Sequence, residues 1–162
     1  MNYWDKRKDL NYYKEVMRLI DFFSPAESIL DVGCADTPIS TWGMFERRYT
    51  VDLRTDPKLA GVESYVGDFT TWVPPEPKFS VVTCLQTIEH LKDEELQPFT
   101  SALLDMSENL IVSLPWKWPR SATKTHYQDP IDWNKLVYIM GHEPKEFKVV
   151  EDNKLERIVT LY

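Results

Sequence analysis

The stretch Ser28-Ile29-Leu30-Asp31-Val32-Gly33-Cys34-Ala35-Asp36-Thr37-Pro38 decides the fold. Ser28 to Val32 is a short apolar run closed by a glycine. Such a run reads as a strand buried on both faces, as in a parallel sheet. Ala35-Asp36-Thr37-Pro38 reads as a turn entering a helix. Asp36 or Thr37 would be its N-cap and Pro38 its first helical residue. The helix is expected to reach about Phe45.

Upstream, residues 5–23 predict an amphipathic helix, because Leu10, Tyr13, Met17, Ile20 and Phe23 recur at intervals of three or four. Ser24-Pro25 ends it, since a residue before proline avoids the α region. Downstream, strands are expected at 48–53, 64–66, 79–85 and 110–114, the last stopped by Pro115. Helices are expected from Asp93 to about Met106, with Asp93 as cap, and from Asp132 to Met140, with Gly141 just past its end. Residues 146–150 and 156–161 read as two closing strands. Strands that alternate with helical segments imply a mostly parallel α/β sheet with helices on both faces. The 162 residues read as a single domain, 1–162, with residues 1–24 as an N-terminal helix and candidate lid.

Composition narrows the function. Hydrophobic residues make up 43% of the chain, with six Trp, eight Tyr and seven Phe, which excludes disorder for most of it. The net charge is −7, from 19 basic and 26 acidic residues, and there is no long basic run. Nucleic acid is therefore disfavoured as a partner, because binding it nonspecifically requires many cations. No apolar run approaches the roughly 18–20 residues of a membrane span, and none near the start resembles a signal peptide. The expectation is a cytoplasmic chain with a small-molecule partner. Cys34 and Cys84 have neither CxxC nor zinc-like spacing and read as reduced, packed thiols.

In α/β sheets ligands bind at the carboxyl ends of the strands. Gly33 stands alone where a dinucleotide fingerprint would have three glycines, and Asp31 and Asp36 flank the turn. Two carboxylates disfavour a diphosphate and favour a ligand with an ammonium or sulfonium group, such as S-adenosylmethionine. Asp52 ends the second strand 21 residues after Asp31. At that spacing an acidic side chain accepts from ribose hydroxyls in nucleoside-binding α/β folds. Asp68, in Gly67-Asp68-Phe69, is placed to accept from an adenine amino group while Phe69 covers the ring.

The chain resembles the class I, Rossmann-like S-adenosylmethionine-dependent methyltransferases. The likeness rests on Ile29 to Ala35, Val51-Asp52-Leu53, Gly67-Asp68-Phe69, Phe79 to Leu85 with Ile88-Glu89-His90-Leu91, and Leu110 to Pro115. It implies a seven-stranded sheet whose last strand is antiparallel, with S-adenosylmethionine as cofactor and S-adenosylhomocysteine as product. The cofactor site would comprise Asp31, Gly33, Cys34, Ala35, Asp52, Leu53, Asp68, Phe69, Leu85 and Gln86. Ala35 stands where the family usually has a second glycine, and Thr37-Pro38 tightens the turn. Among the three histidines, His90 and His126 fall in loops at the ligand edge and are the candidate general bases. Trp116, Trp118 and Tyr127 are the candidate acceptor wall. No metal is expected.

The implied activity is methyl transfer to the oxygen or nitrogen of a small molecule, for example a sugar or secondary metabolite. Two alternatives remain. One is a module that binds the cofactor without turning it over. The other is a metal-dependent RNA 2′-O-methyltransferase, whose ion is held by a Glu-x-x-Glu-His run plus a later His; here the run reads Gln86-Thr87-Ile88-Glu89-His90, with His126 downstream and the uncharged Gln86 in place of the first Glu. A nicotinamide-dependent oxidoreductase is disfavoured by the incomplete glycine fingerprint.

Overall fold

A computed structural model describes residues 2–162, so Met1, the first residue of the expected lid segment, lies outside it. Seven strands form one sheet: β1 Ala26–Val32, β2 Phe45–Asp52, β3 Glu63–Val66, β4 Val81–Leu85, β5 Leu110–Trp116, β6 Glu146–Asp152 and β7 Leu155–Leu161. Their spatial order is β3-β2-β1-β4-β5-β7-β6. β7 runs antiparallel to both of its neighbours, and the other pairings are parallel. The order reverses between β1 and β4, which opens a crevice at their carboxyl ends.

Adjacent residues on a strand point to opposite faces, and the core divides accordingly. Ile29, Val81, Ile111 and Val159 face helix α1, Tyr12–Phe23, and pack on its Tyr12, Val16, Leu19 and Ile20. Leu30, Val82, Val112 and Ile158 face the other way. They pack on Leu96, Phe99 and Leu103 of α2, Asp93–Met106, and on Leu136, Ile139 and Met140 of α3, Trp133–Met140. Burial on both faces is why these strands read as unbroken apolar runs. Among the described residues, no helix is long and apolar enough to cross a membrane.

Several boundaries differ from expectation for identifiable reasons. The helix expected over 38–45 is absent. Only Ile39–Thr41 form a single 3₁₀ turn, and β2 already begins at Phe45. Arg48 takes over the role of helix hydrogen bonding here: its guanidinium donates to the carbonyls of Ser40, Trp42 and Gly43 at 2.7, 3.1 and 2.8 Å. Ile39 and Trp42 still reach the α1 side of the core from this irregular segment.

The first helix starts at Tyr12 rather than near residue 5. Asp152, at the end of β6, accepts from the amides of Asn11 and Tyr12 at 2.5 and 3.1 Å and sets its start. Before it, Trp4–Lys6 form a 3₁₀ turn whose leading amides, those of Tyr3 and Trp4, bind the Asp36 carboxylate.

β5 is not stopped by Pro115. It continues to Trp116 against β7, with Pro115 opposite Arg157. The β4 pairing ends at Ser113, so on that side no partner lacks the amide that proline cannot supply. The N-cap of α2 is Lys92, whose N–H donates to Glu95 at 2.7 Å, rather than Asp93. The fourth strand starts at Val81, with Phe79 making only an isolated bridge to Ser107. For α3 the expectation is met: Asp132 caps it through the Lys135 amide, and Gly141 ends it at φ +81°.

Candidate functional site

Left-handed backbone marks the carboxyl ends of three adjacent strands. Gly33 (φ +73°) and Ala35 (φ +47°) follow β1, Gln86 (φ +53°) follows β4, and Lys117 (φ +55°) follows β5. A side-chain-bearing residue in this conformation costs about 1–2 kcal/mol, and such strain clusters at functional sites. Gly33 also has a packing reason: a Cβ there would stand 2.3 Å from Thr87 Oγ1. The turn after β1 therefore seats directly on the loop after β4.

The acidic residues near the carboxyl ends of β1, β2 and β3 occupy different environments. Asp31 is fully buried, and its carboxylate accepts from Thr83 Oγ1 at 2.7 Å and Thr37 Oγ1 at 3.3 Å. Burial raises its pKa to about 7, against the opposing effect of those two hydroxyls. Asp52 is half-buried and organises the crevice. Its Oδ2 accepts from the Ala35 amide, and its Oδ1 from the amides of Arg54 and Thr55, all at 2.9 Å. Asp68 is exposed, and Thr70 binds its Oδ1 through both amide and hydroxyl.

Other expected cofactor residues separate. Leu53 is exposed, while Leu85 and Gln86 are buried. Gln86 accepts from Arg157 Nε at 3.1 Å and donates to Ser113 at 3.4 Å. Phe69 does not present a face to the crevice. Its ring is buried in the core, edge-on to Phe99 at 5.1 Å, because the 3₁₀ turn Phe69–Thr71 rolls it inward. Cys34 and Cys84 are buried thiols whose pKa values burial pushes up, so neither is poised as a thiolate.

Beside this crevice, two loops converge. The 3₁₀ turn Ile88–His90 follows β4, and residues 117–131 follow β5. The long loop is tied down by Lys117 N–H to the Ile131 carbonyl and by the amides of Tyr127 and Gln128 to the Glu89 carbonyl. Those bonds bring the His126 ring to 4.8 Å from the His90 ring. His90 Nδ1 lies 2.9 Å from the Thr125 carbonyl, and His126 Nδ1 lies 2.7 Å from Asp129 Oδ2.

Trp118 is buried rather than free to form an open wall. Its Nε1–H donates to the Glu156 carbonyl, and its ring stacks on His126 and on Arg157. It thus backs the histidine pair. Trp116 is half-buried under Lys117, and Tyr127 is exposed.

Sequence reasoning gave Glu89 a role only in the metal-dependent alternative and assigned none to Asp129 or Arg157. Glu89 is fully buried, and among the described residues neither of its carboxylate oxygens has a hydrogen-bond partner. Burial raises its pKa to about 8, the nearby Asp129 adds to the shift, and Arg7 and Arg157 oppose it. Burial lowers the pKa of His90. Arg7, whose guanidinium lies over the Tyr3 ring, acts electrostatically on both Glu89 and His90, and Tyr3 and Trp4 bind Asp36, so the segment before α1 borders this site as well as the β1 turn. The signal available in sequence was the His-x-x-Asp spacing of His126 and Asp129. Two surface clefts at the amino ends of the strands, lined by Pro25, Met44 and Arg48 and by Ser28, Lys78 and Asn109, gather no comparable chemistry.

No family model and no curated protein matches the chain. Solved structures do. Magnesium protoporphyrin IX methyltransferase (ChlM) from Synechocystis, crystallised with S-adenosylhomocysteine (SAH), is 16% identical with a TM-score of 0.68, over 93% of this chain and 81% of that one. An S-adenosylmethionine-dependent methyltransferase from Clostridium acetobutylicum is 11% identical with a TM-score of 0.68, over 98% and 94%. The N-methyltransferase NodS from Bradyrhizobium japonicum is 11% identical with a TM-score of 0.67, over 95% and 97%. The chain shares with them the seven-stranded class I methyltransferase fold.

Proposed function

We propose that this chain binds S-adenosylmethionine in the crevice at the carboxyl ends of β1, β2 and β4 and transfers its methyl group to a small molecule. The observation that carries the reading is the convergence of left-handed turns at Gly33, Ala35 and Gln86 with Asp52 and Asp68, all on one edge of a class I sheet. The donor set suits this ligand. Asp68 keeps an oxygen beyond the one Thr70 occupies, for an adenine amino group. Asp52, whose Oδ2 accepts from a single amide and keeps a lone pair, would accept from the ribose hydroxyls. Asp36 and Asp52 together make a negative environment for a sulfonium ligand with an amino group.

The bound cofactor supplies a methyl on a positively charged sulfur, already activated for in-line displacement. The work left to this chain is alignment of the acceptor. Trp118, His90 and His126 form the wall beside the crevice against which a small acceptor would lie. Tyr3 and Trp4, held through their amides by Asp36, and Arg7, over the Tyr3 ring, would close the site on the side of the N-terminal segment and exclude water.

Calorimetric titration with SAH tests the reading. Micromolar binding is expected, with Asp52→Ala weakening it at least tenfold and Asp68→Ala weakening it less. No binding by the folded wild-type protein would refute it. Binding without turnover on hydroxyl, amine or RNA acceptors would favour a non-catalytic module, a reading supported by the side-chain-bearing Ala35 in the turn.

A further inference from the structure

We propose that Arg7 and Arg157 form a binding site for one carboxylate of a ligand, between the N-terminal segment and the carboxyl end of β4. Arg157 Nε donates to Gln86 Oε1 at 3.1 Å, just past β4. The Arg157 guanidinium lies 5.3 Å from the centre of the Tyr12 ring and 4.9 Å from that of Trp118, which fix its direction. The Arg7 guanidinium lies 4.6 Å from the centre of the Tyr3 ring, and Asp36, in the turn after β1, holds the Tyr3 amide. Both cations therefore border the crevice.

Three observations support the site. The first is an uncompensated cation. Arg7 is half-buried, and its Nε is buried with no hydrogen-bond partner among the described residues. A buried charged donor in that state demands an anion. Glu89 is within electrostatic reach of it, but neither Glu89 oxygen makes a hydrogen bond, and burial lets this carboxyl hold its proton until about pH 8. Near neutral pH it leaves Arg7 without a counter-ion.

The second is a second cation close by. Arg157 is buried, and burial, followed by the Arg7 charge, lowers its pKa. Asp152 lies 3.7 Å from Arg157 Nη1, but its oxygens already accept from the amides of Asn11 and Tyr12. Two guanidiniums against one carboxylate leave a net positive charge of one, which matches a monoanion rather than a phosphate dianion. The Tyr12 hydroxyl, buried without a partner among the described residues, adds a neutral donor.

The third is the state of the turn after β1. A helix N-terminus there would receive an anion, but only a 3₁₀ turn follows. The Ala35 amide is given to Asp52 and the Thr37 amide to the Cys34 carbonyl. Asp36 adds a negative charge beside them. A ligand carboxylate is repelled from this turn and met by the planar fork of Arg7 on the facing N-terminal segment.

The carboxylate is that of the cofactor's methionine end or that of the acceptor. A cofactor source rests on the methyl-transfer reading; carboxylate binding as such does not.

The test titrates the full chain with SAH, with decarboxylated SAH and with benzoate. If the cofactor supplies the carboxylate, its removal should weaken binding at least about tenfold in wild type and less than about threefold in Arg7→Met. Benzoate should then shift an arginine Nε–H resonance of the wild-type protein only while SAH is absent. Arg7→Met or Arg7→Lys identifies that resonance by removing it. If the acceptor supplies the carboxylate, SAH and its decarboxylated form should bind alike, and benzoate at about 50 mM should shift the resonance in the SAH-saturated protein too. Arg7→Lys keeps the charge and loses the fork, so its loss should be intermediate from either source. The site is overturned if benzoate shifts no such resonance and removal of the SAH carboxylate costs wild type and Arg7→Met the same. SAH binding in that event leaves the methyltransferase reading standing without the site. Benzoate binding at Arg7 without SAH affinity leaves the site standing without that reading.

Discussion

Replacing Gly33 by alanine should cost far more than replacing Gly61, although both glycines have nearly the same backbone, φ +73° and +74°. At Gly61 an added Cβ meets nothing within 4 Å, so only the left-handed conformation is penalised, by about 1–2 kcal/mol. At Gly33 the same Cβ would lie 2.3 Å from Thr87 Oγ1 and 2.6 Å from its Cγ2. Overpacking of that kind adds about 1–3 kcal/mol. Gly33→Ala should therefore lose about 2–5 kcal/mol in total, which for a chain of this length lowers the melting temperature by about 5–15 °C. Thr87→Ala removes both clashing atoms and leaves only its own Cβ, at 3.0 Å. It should accordingly rescue about 1–2 kcal/mol of the Gly33→Ala loss in a double-mutant cycle. Urea unfolding followed by tryptophan fluorescence measures all four proteins and Gly61→Ala. Two results would refute the reasoning: equal costs at Gly33 and Gly61, or a cycle whose coupling is below about 0.5 kcal/mol.

Two further outcomes follow from buried carboxylates. The folded protein holds a proton on Asp31 that the unfolded chain releases between pH 3.8 and about 7, so its contribution to stability falls as pH rises through that range and then levels. Asp31→Asn, which keeps an acceptor for Thr83, should gain on wild type by about 2–3 kcal/mol between pH 5 and pH 8; parallel pH profiles would contradict this. Asp152→Ala removes the acceptor for the amides that open α1 and the partner of Arg157, and should cost about 2–3 kcal/mol. Hydrogen exchange should show the loss first in the opening turn of α1, and uniform destabilisation would argue against a capping role.

The strands were legible because their signal is local. A parallel strand buried on both faces is apolar at every position, so Ile29-Leu30 and Val81-Val82 could be recognised without knowing their neighbours. Capping at Asp132 and termination at Gly141 were legible for the same reason. The missing helix after β1 was not. Pro38 at a helix start is a sound local signal, but Arg48, ten residues later, offers the carbonyls of this segment an alternative to helical bonding. Likewise Asp152 sets the start of α1 from 141 residues beyond Asn11, which no window on the N-terminal periodicity contains.

The candidate site divides along the same line. The sequence by itself determined which residues stand at the carboxyl end of each strand: the lone Gly33, the acidic Asp31, Asp52 and Asp68, and the two histidines at the ligand edge. Spacing and residue chemistry are enough for that, because in a parallel sheet all the carboxyl ends share one edge. Only the tertiary structure decided what each side chain does there. It turned Phe69 into the core, spent Asp52 on three amides and placed Trp118 behind His126. It also brought Glu89 and His90 to His126, because β4 and β5 are neighbours in the sheet and the loop after β5 folds back onto the Glu89 carbonyl. Such convergence depends on strand order and loop closure, and neither is encoded in any local pattern of residues.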